Sequence, residues 1–389
     1  MSSPAEVAGR HYLDHASTSP ARPEVVEAML PWLTGPGAAD PARIHTEGHL
    51  ARAAVESARE KVASLLGVRS RQVIFTSGAT EAANAAAFGA VRASPGAAIV
   101  CPAVEHSSVR DSSARFAPVV EVGVDRLGRV DPDAFETAVE KAQLEGGVAL
   151  AQCQWGNHEV GTTQPARDVV ARCRARGVLV HVDAAAAVGH VPLDLSVLGA
   201  DLASVSAHKL GGPKGIGCLV VGRGIRLEPL LVGGQQERAR RAGMENTAAI
   251  VGFGAAAELL ADDHTLAAEE ARARHQTERV LAGALGVDGV VAYGDPADRL
   301  PQITCFGVEG VEAEAVVLGL DQAGFAVHSG SACSSEALEA SPVLMAMGVD
   351  AERSLRVSVG WSTTDEDIDA FLSGFPAVVA GLRALRTGA

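Results

Sequence analysis

Aromatic side chains are scarce in this chain of 389 residues: nine Phe, three Trp and two Tyr make up 4% of it. With few large rings to fill space, the interior is expected to close through small-residue contacts, and alanine is abundant enough to supply them. No apolar run approaches the roughly 20 residues that a membrane-spanning helix needs. The opening MSSPAEVAGR has neither the basic start nor the apolar stretch of a secretion signal. Neither membrane insertion nor export is expected. The six cysteines, at 101, 153, 173, 218, 305 and 333, form no CxxC and no metal-like spacing with histidine. They read as reduced thiols of a cytoplasmic protein, and no metal is expected. Positive charge is also in deficit, with 33 Lys and Arg against 47 Asp and Glu, a formal net charge of -14. That balance argues against nucleic acid as a partner. Repeats, low-complexity linkers and heptad runs are missing as well.

What is present suits a two-domain α/β protein, since the chain is longer than one core usually holds. From Pro23 to about Ala261, short apolar runs alternate with helical patterns. Val73 to Thr76, Ala97 to Val100, Val148 to Cys153 and Val178 to Val182 are such runs, each followed by a polar or glycine-containing turn. Continuous apolar strands between helices indicate a parallel sheet covered on both faces. Ligands of such sheets gather at the carboxyl ends of the strands.

The polar residues at those ends form a pattern. HVDAAAAVGH delivers Asp183 at the end of a strand, where a buried carboxylate needs a cation or donors. Further along, SVSAHKLGGPKGIG presents Lys209 among small residues, flanked by Ser206 and His208. A lysine that forms a Schiff base must first lose its proton, which partial burial favours. VIFTSGATEAAN runs from a strand into a helix starting near Ala79 and Thr80, an anion site suited to phosphate. VEHSSV places His106 after another strand, where its ring can lie against a planar ligand. A carboxylate for a pyridine nitrogen, a Schiff-base lysine, a phosphate cradle and a flat imidazole match the needs of pyridoxal 5'-phosphate (PLP).

These pieces, in this order, resemble the class V aminotransferase family of fold-type I PLP enzymes, from YLDHASTSP to LRVSVGWSTTDEDID. The resemblance implies a large PLP-binding domain over 21–263, with a mostly parallel seven-stranded sheet. It also implies a smaller α+β domain made of 1–20 and 264–389, and a homodimer. Within the family, HSGSACSSEALEAS resembles the mobile-loop motif of the cysteine desulfurases. There Cys333 takes the sulfur of L-cysteine as a persulfide, leaves L-alanine and passes the sulfur to an acceptor protein. Lys209, Cys333 and His106 become the catalytic candidates. Ala79, Thr80, His106, His158, Asp183, Ser206, His208 and Lys209 become the cofactor contacts, and Asn157 and Arg356 the substrate contacts. Arg356 matches the arginine that pairs with the substrate carboxylate.

Three positions depart from the family pattern. His158 stands for an asparagine, Ala186 for a glutamine that donates to the cofactor's ring oxygen, and Met244 for a threonine that reaches the neighbouring subunit's phosphate. His158 is expected to supply the donor that Ala186 lacks, and to add a pH-sensitive step. Two other readings stay open at this stage: a PLP lyase for another amino acid or sulfur compound, and a PLP-binding partner subunit without activity.

Overall fold

The computed structural model describes residues 9–329, 332–334 and 337–387, with backbone alone at 332–334 and 337–339. After a two-residue strand β1 (His11–Tyr12), seven strands build the main sheet. They are β2 (Val73–Thr76), β3 (Ala98–Pro102), β4 (Val119–Val122), β5 (Val148–Gln154), β6 (Val180–Asp183), β7 (Leu202–Ser206) and β8 (Gly217–Val221). Their order is β2-β8-β7-β6-β5-β3-β4. β8 runs antiparallel to both neighbours, while β7, β6, β5, β3 and β4 are mutually parallel. The mostly parallel seven-stranded sheet is therefore as the resemblance implied.

Burial on both faces explains the continuous apolar runs. One face carries Val100, Ala151, Cys153, Val180, Val182 and Val205 against helices that include Thr46–Leu65 and Thr247–Leu260. The other carries Ile74, Ile99, Leu150, Leu202 and Leu219 against helix Ala79–Ala93, which presents Ala82, Ala86, Ala87 and Ala90. Alanine lets that helix lie close to the sheet, and small residues recur elsewhere. A Cβ built on Gly254 would stand 2.7 Å from Ala58 Cβ, where helices Thr46–Leu65 and Thr247–Leu260 cross. Five cysteines, at 101, 153, 173, 218 and 305, are buried in such contacts as free thiols, and burial pushes their ionisation upward.

A second core is built on β9 (Val290–Tyr293), β10 (Ile303–Val308) and β14 (Ser354–Ser358), with β10 central and antiparallel to both. Leu13, Val280, Phe306, Leu355, Phe371 and Phe375 fill it. β1 pairs in parallel with β11 (Phe325–Ala326), so the N-terminal segment packs here rather than on the main sheet. By length and composition the last helix, Asp365–Thr387, is apolar enough to cross a bilayer, which the sequence expectation did not anticipate. Its Ile368, Phe371, Phe375 and Val379 lie in the second core. The strands β12 (Ala332–Ser334) and β13 (Ala337–Glu339) pair as an antiparallel hairpin, so the backbone at Cys333 is a paired strand rather than an open loop. The side chain of Cys333 lies outside the described residues.

A strained turn joins the sheet edge to the site. Glu237, Arg238 and Ala239 have φ of 48°, 61° and 61°, three successive non-glycine residues in the left-handed region. Each costs on the order of 1–2 kcal/mol. The turn is held by Glu237, buried and paired with Arg59 at 2.6 and 2.8 Å, and accepting the Phe75 N–H at 3.0 Å. Just beyond, Arg241 grips Glu81 at 2.9 and 3.1 Å, and Glu81 accepts the Ser77 N–H at 2.7 Å. Glu237→Gln leaves the buried Arg59 with only the half-exposed Glu56 as counterion, 3.1 Å from its Nε, and should cost about 3 kcal/mol in urea unfolding. An unchanged unfolding midpoint would show that the ion pair does not hold this turn.

Candidate active site

A cavity of about 740 Å3 opens at the carboxyl ends of the parallel strands. Ala79, Thr80, His106, His158, Asp183, Ser206, His208, Lys209 and Arg356 all line it. The sequence-derived candidates thus come together, except Asn157, and the side chain of Cys333 lies outside the described residues.

Asp183 ends β6 and Ser204 faces it across the β6–β7 register. Its Oδ1 accepts from Ser204 Oγ at 2.8 Å and from the Ala185 N–H at 3.1 Å. Lys209 follows β7 after one tight turn. Burial lowers the lysine's pKa, the Asp183 carboxylate works against that, and Arg356 adds to it. A lysine whose charge is disfavoured offers the free amine that a Schiff base requires. Its backbone carbonyl is held by Ser19 Oγ at 3.3 Å and by His190 Nε2 at 3.1 Å. Burial lowers His190 and the nearby His15 to about 4, so both are neutral supports.

At the other side the chain turns through Ser77 and Gly78 into helix Ala79–Ala93, whose first N–H groups have no helical partner. A Cβ placed on Gly78 would face Ser206 Oγ at 3.9 Å, so this turn and Ser206 share one hollow. His208 completes it, with Nδ1 3.1 Å from Thr18 Oγ1. Free N–H groups, a hydroxyl and an imidazole suit a phosphate. A half-buried amine, an anion cradle and a strand-end carboxylate within one cavity fit PLP.

His106 lies on the cavity wall as expected for a ring that packs on the cofactor. Its Nδ1 accepts the Ser108 N–H at 3.1 Å and sits 2.8 Å from Ser108 Oγ. Burial, followed by His158 and Lys209, lowers its pKa, so the ring is neutral. The Nδ1 lone pair of His106 is thus engaged within the chain.

Asn157, expected as a substrate contact, is fully buried and does not reach the cavity. Its Nδ2 donates to the Val104 carbonyl at 3.1 Å, and its Oδ1 accepts from the Glu159 and Val160 N–H groups at 2.8 and 2.9 Å. Asn157 shapes the turn that presents His158 and is buried away from the cavity.

Arg356, on β14, reaches the cavity from the second core. Its Nη2 donates to Asp14 Oδ1 at 2.8 Å and Ser17 Oγ at 2.7 Å, and its Nη1 to the His158 carbonyl at 2.9 Å. Its buried Nε–H has no partner among the described residues. Ala186 lines the cavity with no side-chain donor, and its carbonyl accepts from Gln302. Met244 lies outside the cavity, exposed on the surface.

Several functional residues were missed. Asp14 and Ser17 belong to YLDHASTSP, a segment quoted only for its resemblance. Glu105, beside His106, is buried in the cavity wall; its Oε1 accepts the Gln154 N–H and its Oε2 is unpartnered among the described residues. Burial and Asp183 push its carboxyl well up. The signal was available in VEHSSV, as an acid next to a strand-end histidine.

Comparison with known proteins agrees with this geometry. The family model described as Aminotransferase class-V matches residues 11–371. A cysteine desulfurase of Trichormus azollae is 40% identical over 383 residues, covering 96% of this chain and 94% of that protein. Cysteine desulfurase IscS 1 of Archaeoglobus fulgidus is 37% identical over 383 residues, covering 96% and 98%. Among solved structures, one named NifS-like protein superposes with a TM-score of 0.88 at 29% identity, over 96% of this chain and 100% of that one. With a strand-end carboxylate, a charge-suppressed lysine and an anion cradle in one cavity, and a family match over nearly its whole length, this chain belongs to the class V aminotransferase family.

Proposed function

We propose that this protein is a PLP-dependent cysteine desulfurase that converts L-cysteine to L-alanine and holds the sulfur as a persulfide on Cys333. The observation that carries the reading is that Lys209 and Arg356, from different cores, open on one cavity. An amine for the cofactor and a guanidinium for a carboxylate define an amino-acid site. The amino acid is L-cysteine, a choice supported by the SGSAC segment and by the names of the relatives.

Ala79, Thr80, Ser206 and His208 would hold the phosphate, Asp183 the pyridine nitrogen, Lys209 the aldehyde carbon, and His106 one face of the ring. Bound in this way, PLP supplies an electron sink that weakens bonds at the α and β carbons of the amino acid. The chain's own residues do the rest. Arg356, fixed by Asp14 and Ser17, binds the substrate carboxylate and sets its orientation. Asp183, with two donors on Oδ1, stays where a ring N–H can meet it. The thiolate of Cys333 forms a bond to the substrate sulfur as the carbon–sulfur bond breaks; the bonding pair stays on carbon, which takes a proton and leaves as alanine. A sulfur-acceptor protein then takes the persulfide.

The active unit is a homodimer in this reading. Leu231, Val232 and Met244 are exposed, and the Ala242 N–H donates to the Leu231 carbonyl at 3.1 Å, drawing these apolar residues onto one stretch of surface. The five buried free thiols accord with a reducing, cytoplasmic setting.

Two outcomes are expected. Borohydride reduction of the loaded protein should fix the cofactor on the peptide holding Lys209, read by mass; attachment at Lys214 would refute the assignment. Cys333→Ser should bind PLP and L-cysteine but lose at least a hundredfold in alanine formation. Persulfide on Cys101, Cys153 or Cys218 in the parent protein would contradict the role of Cys333.

A further inference from the structure

A phosphate monoester is close to a dianion at neutral pH, and holding it in a partly dry cavity calls for a cation as well as neutral donors. The groups that converge on the cradle are neutral. Thr80 and Ser206 bring hydroxyls, and the first turn of helix Ala79–Ala93 brings N–H groups. His208 is neutral too: burial first, then Lys209 and Lys214, lower its pKa to about 4. Met244, where a donor to the phosphate was expected, has no N–H or O–H in its side chain.

Four cationic side chains line the cavity among the described residues: Lys209, Lys214, Arg110 and Arg356. Two of them have other work. Lys209 is the amine for the aldehyde carbon, and Arg356 is balanced by Asp14 Oδ1 at 2.8 Å. Lys214 and Arg110 have no hydrogen-bond or ion-pair partner among the described residues. Arg110 stands on helix Ser107–Phe116, which follows β3, and its charge bears on the Cys101 thiol of that strand. In the sheet order β3 is four places from β8.

Lys214 lies just before β8, at the cradle itself. Gly217, the first residue of β8, pairs with Ser206 on one side and with Thr76 on the other. The two halves of the cradle continue from those same strand ends, so the loop before β8 rises between them. The approach is close, since a Cβ built on Gly217 would stand 2.8 Å from Gly78 Cα. The loop is also pinned beneath the cradle. The Ala207 N–H donates to the Ile216 carbonyl at 3.1 Å, and the Gly212 N–H donates to the Ala207 carbonyl at 2.9 Å. Gly215 turns the chain at φ 77°, and Lys214 before it is exposed at the rim of the cavity.

We propose that Lys214 is the cation of the phosphate cradle, supplied by the same subunit as Ser206, His208 and the start of helix Ala79–Ala93. A compact ammonium on a flexible stem meets a phosphate as a point charge and adds charge-assisted hydrogen bonds to the neutral donors. In this role Lys214 binds the cofactor and touches no reacting atom. The inference rests on the PLP reading and is independent of which amino acid the enzyme takes.

The test titrates cofactor-free parent protein, Lys214→Gln, Lys214→Arg and Arg110→Gln with three probes: PLP, pyridoxal, which lacks the phosphate, and inorganic phosphate. Lys214→Gln should bind PLP and inorganic phosphate about tenfold more weakly and pyridoxal as the parent does. Lys214→Arg should recover most of the loss, and Arg110→Gln should match the parent. Parental affinity for PLP and phosphate in Lys214→Gln would overturn the proposal. So would an equal loss for PLP and pyridoxal, or a phosphate-specific loss that appears in Arg110→Gln instead. A parent that takes up no PLP would sink the cofactor reading, while inorganic phosphate binding to parent and Lys214→Gln still decides the role of Lys214.

Discussion

The opposition of Asp183 and Lys209 across a buried strand end is the interaction around which this molecule is built. A carboxylate at that depth is tolerated because Ser204 and the Ala185 N–H converge on it. A lysine close by is tolerated because burial favours its neutral form while the carboxylate resists full loss of the charge. Neither group would suit a sealed core. Both become useful when a polar ligand with a basic ring nitrogen and an aldehyde completes the cavity. The parallel sheet makes this possible, since β6 and β7 end side by side and put both residues at the same rim.

The remaining machinery is brought in by parts of the chain far away in sequence. Arg356 comes from β14, and Asp14 and Ser17, which steady it, follow β1. Ser19 and Thr18 touch Lys209 and His208 from that same N-terminal stretch. Residues 14–19 therefore act as a strap between the two cores, with one side on Lys209 and the other on Arg356. On the opposite flank, the turn at Glu237–Ala239 leads to Arg241, Glu81 and Ser77, and so to the mouth of the phosphate cradle. Strain at that turn is sustained by a buried ion pair, and the geometry of the cradle depends on it.

Much of this was legible in the sequence, because strand-end chemistry is local. A short apolar run fixes where a strand stops, and the first polar residues beyond it fall at the ligand-binding rim. Asp183, Ser206, His208 and Lys209 were found that way, and Ala79 and Thr80 by the helix start. What was not legible depends on partners distant in the chain. Asn157 reads as a binding residue until its amide is seen to serve three backbone groups. His106 reads as a ring lying against a planar ligand, but the Ser108 N–H that holds its Nδ1 is seen only in the structure. Glu105 gave only the weak signal of an acid beside a strand-end histidine, since a glutamate matters here through what it faces. The replacement of asparagine by His158 was visible at once, but not that its ring would meet the edge of His106 from a distant part of the chain.

The central claim is that sulfur leaves L-cysteine and stays on this protein. The most direct measurement is a single turnover of the PLP-loaded enzyme with L-cysteine, without added thiol or acceptor, followed by alanine quantification and the mass of the protein. The account predicts one alanine and one added sulfur atom per subunit, carried on Cys333. Formation of pyruvate or another product in place of alanine, or alanine with no sulfur retained, would contradict it.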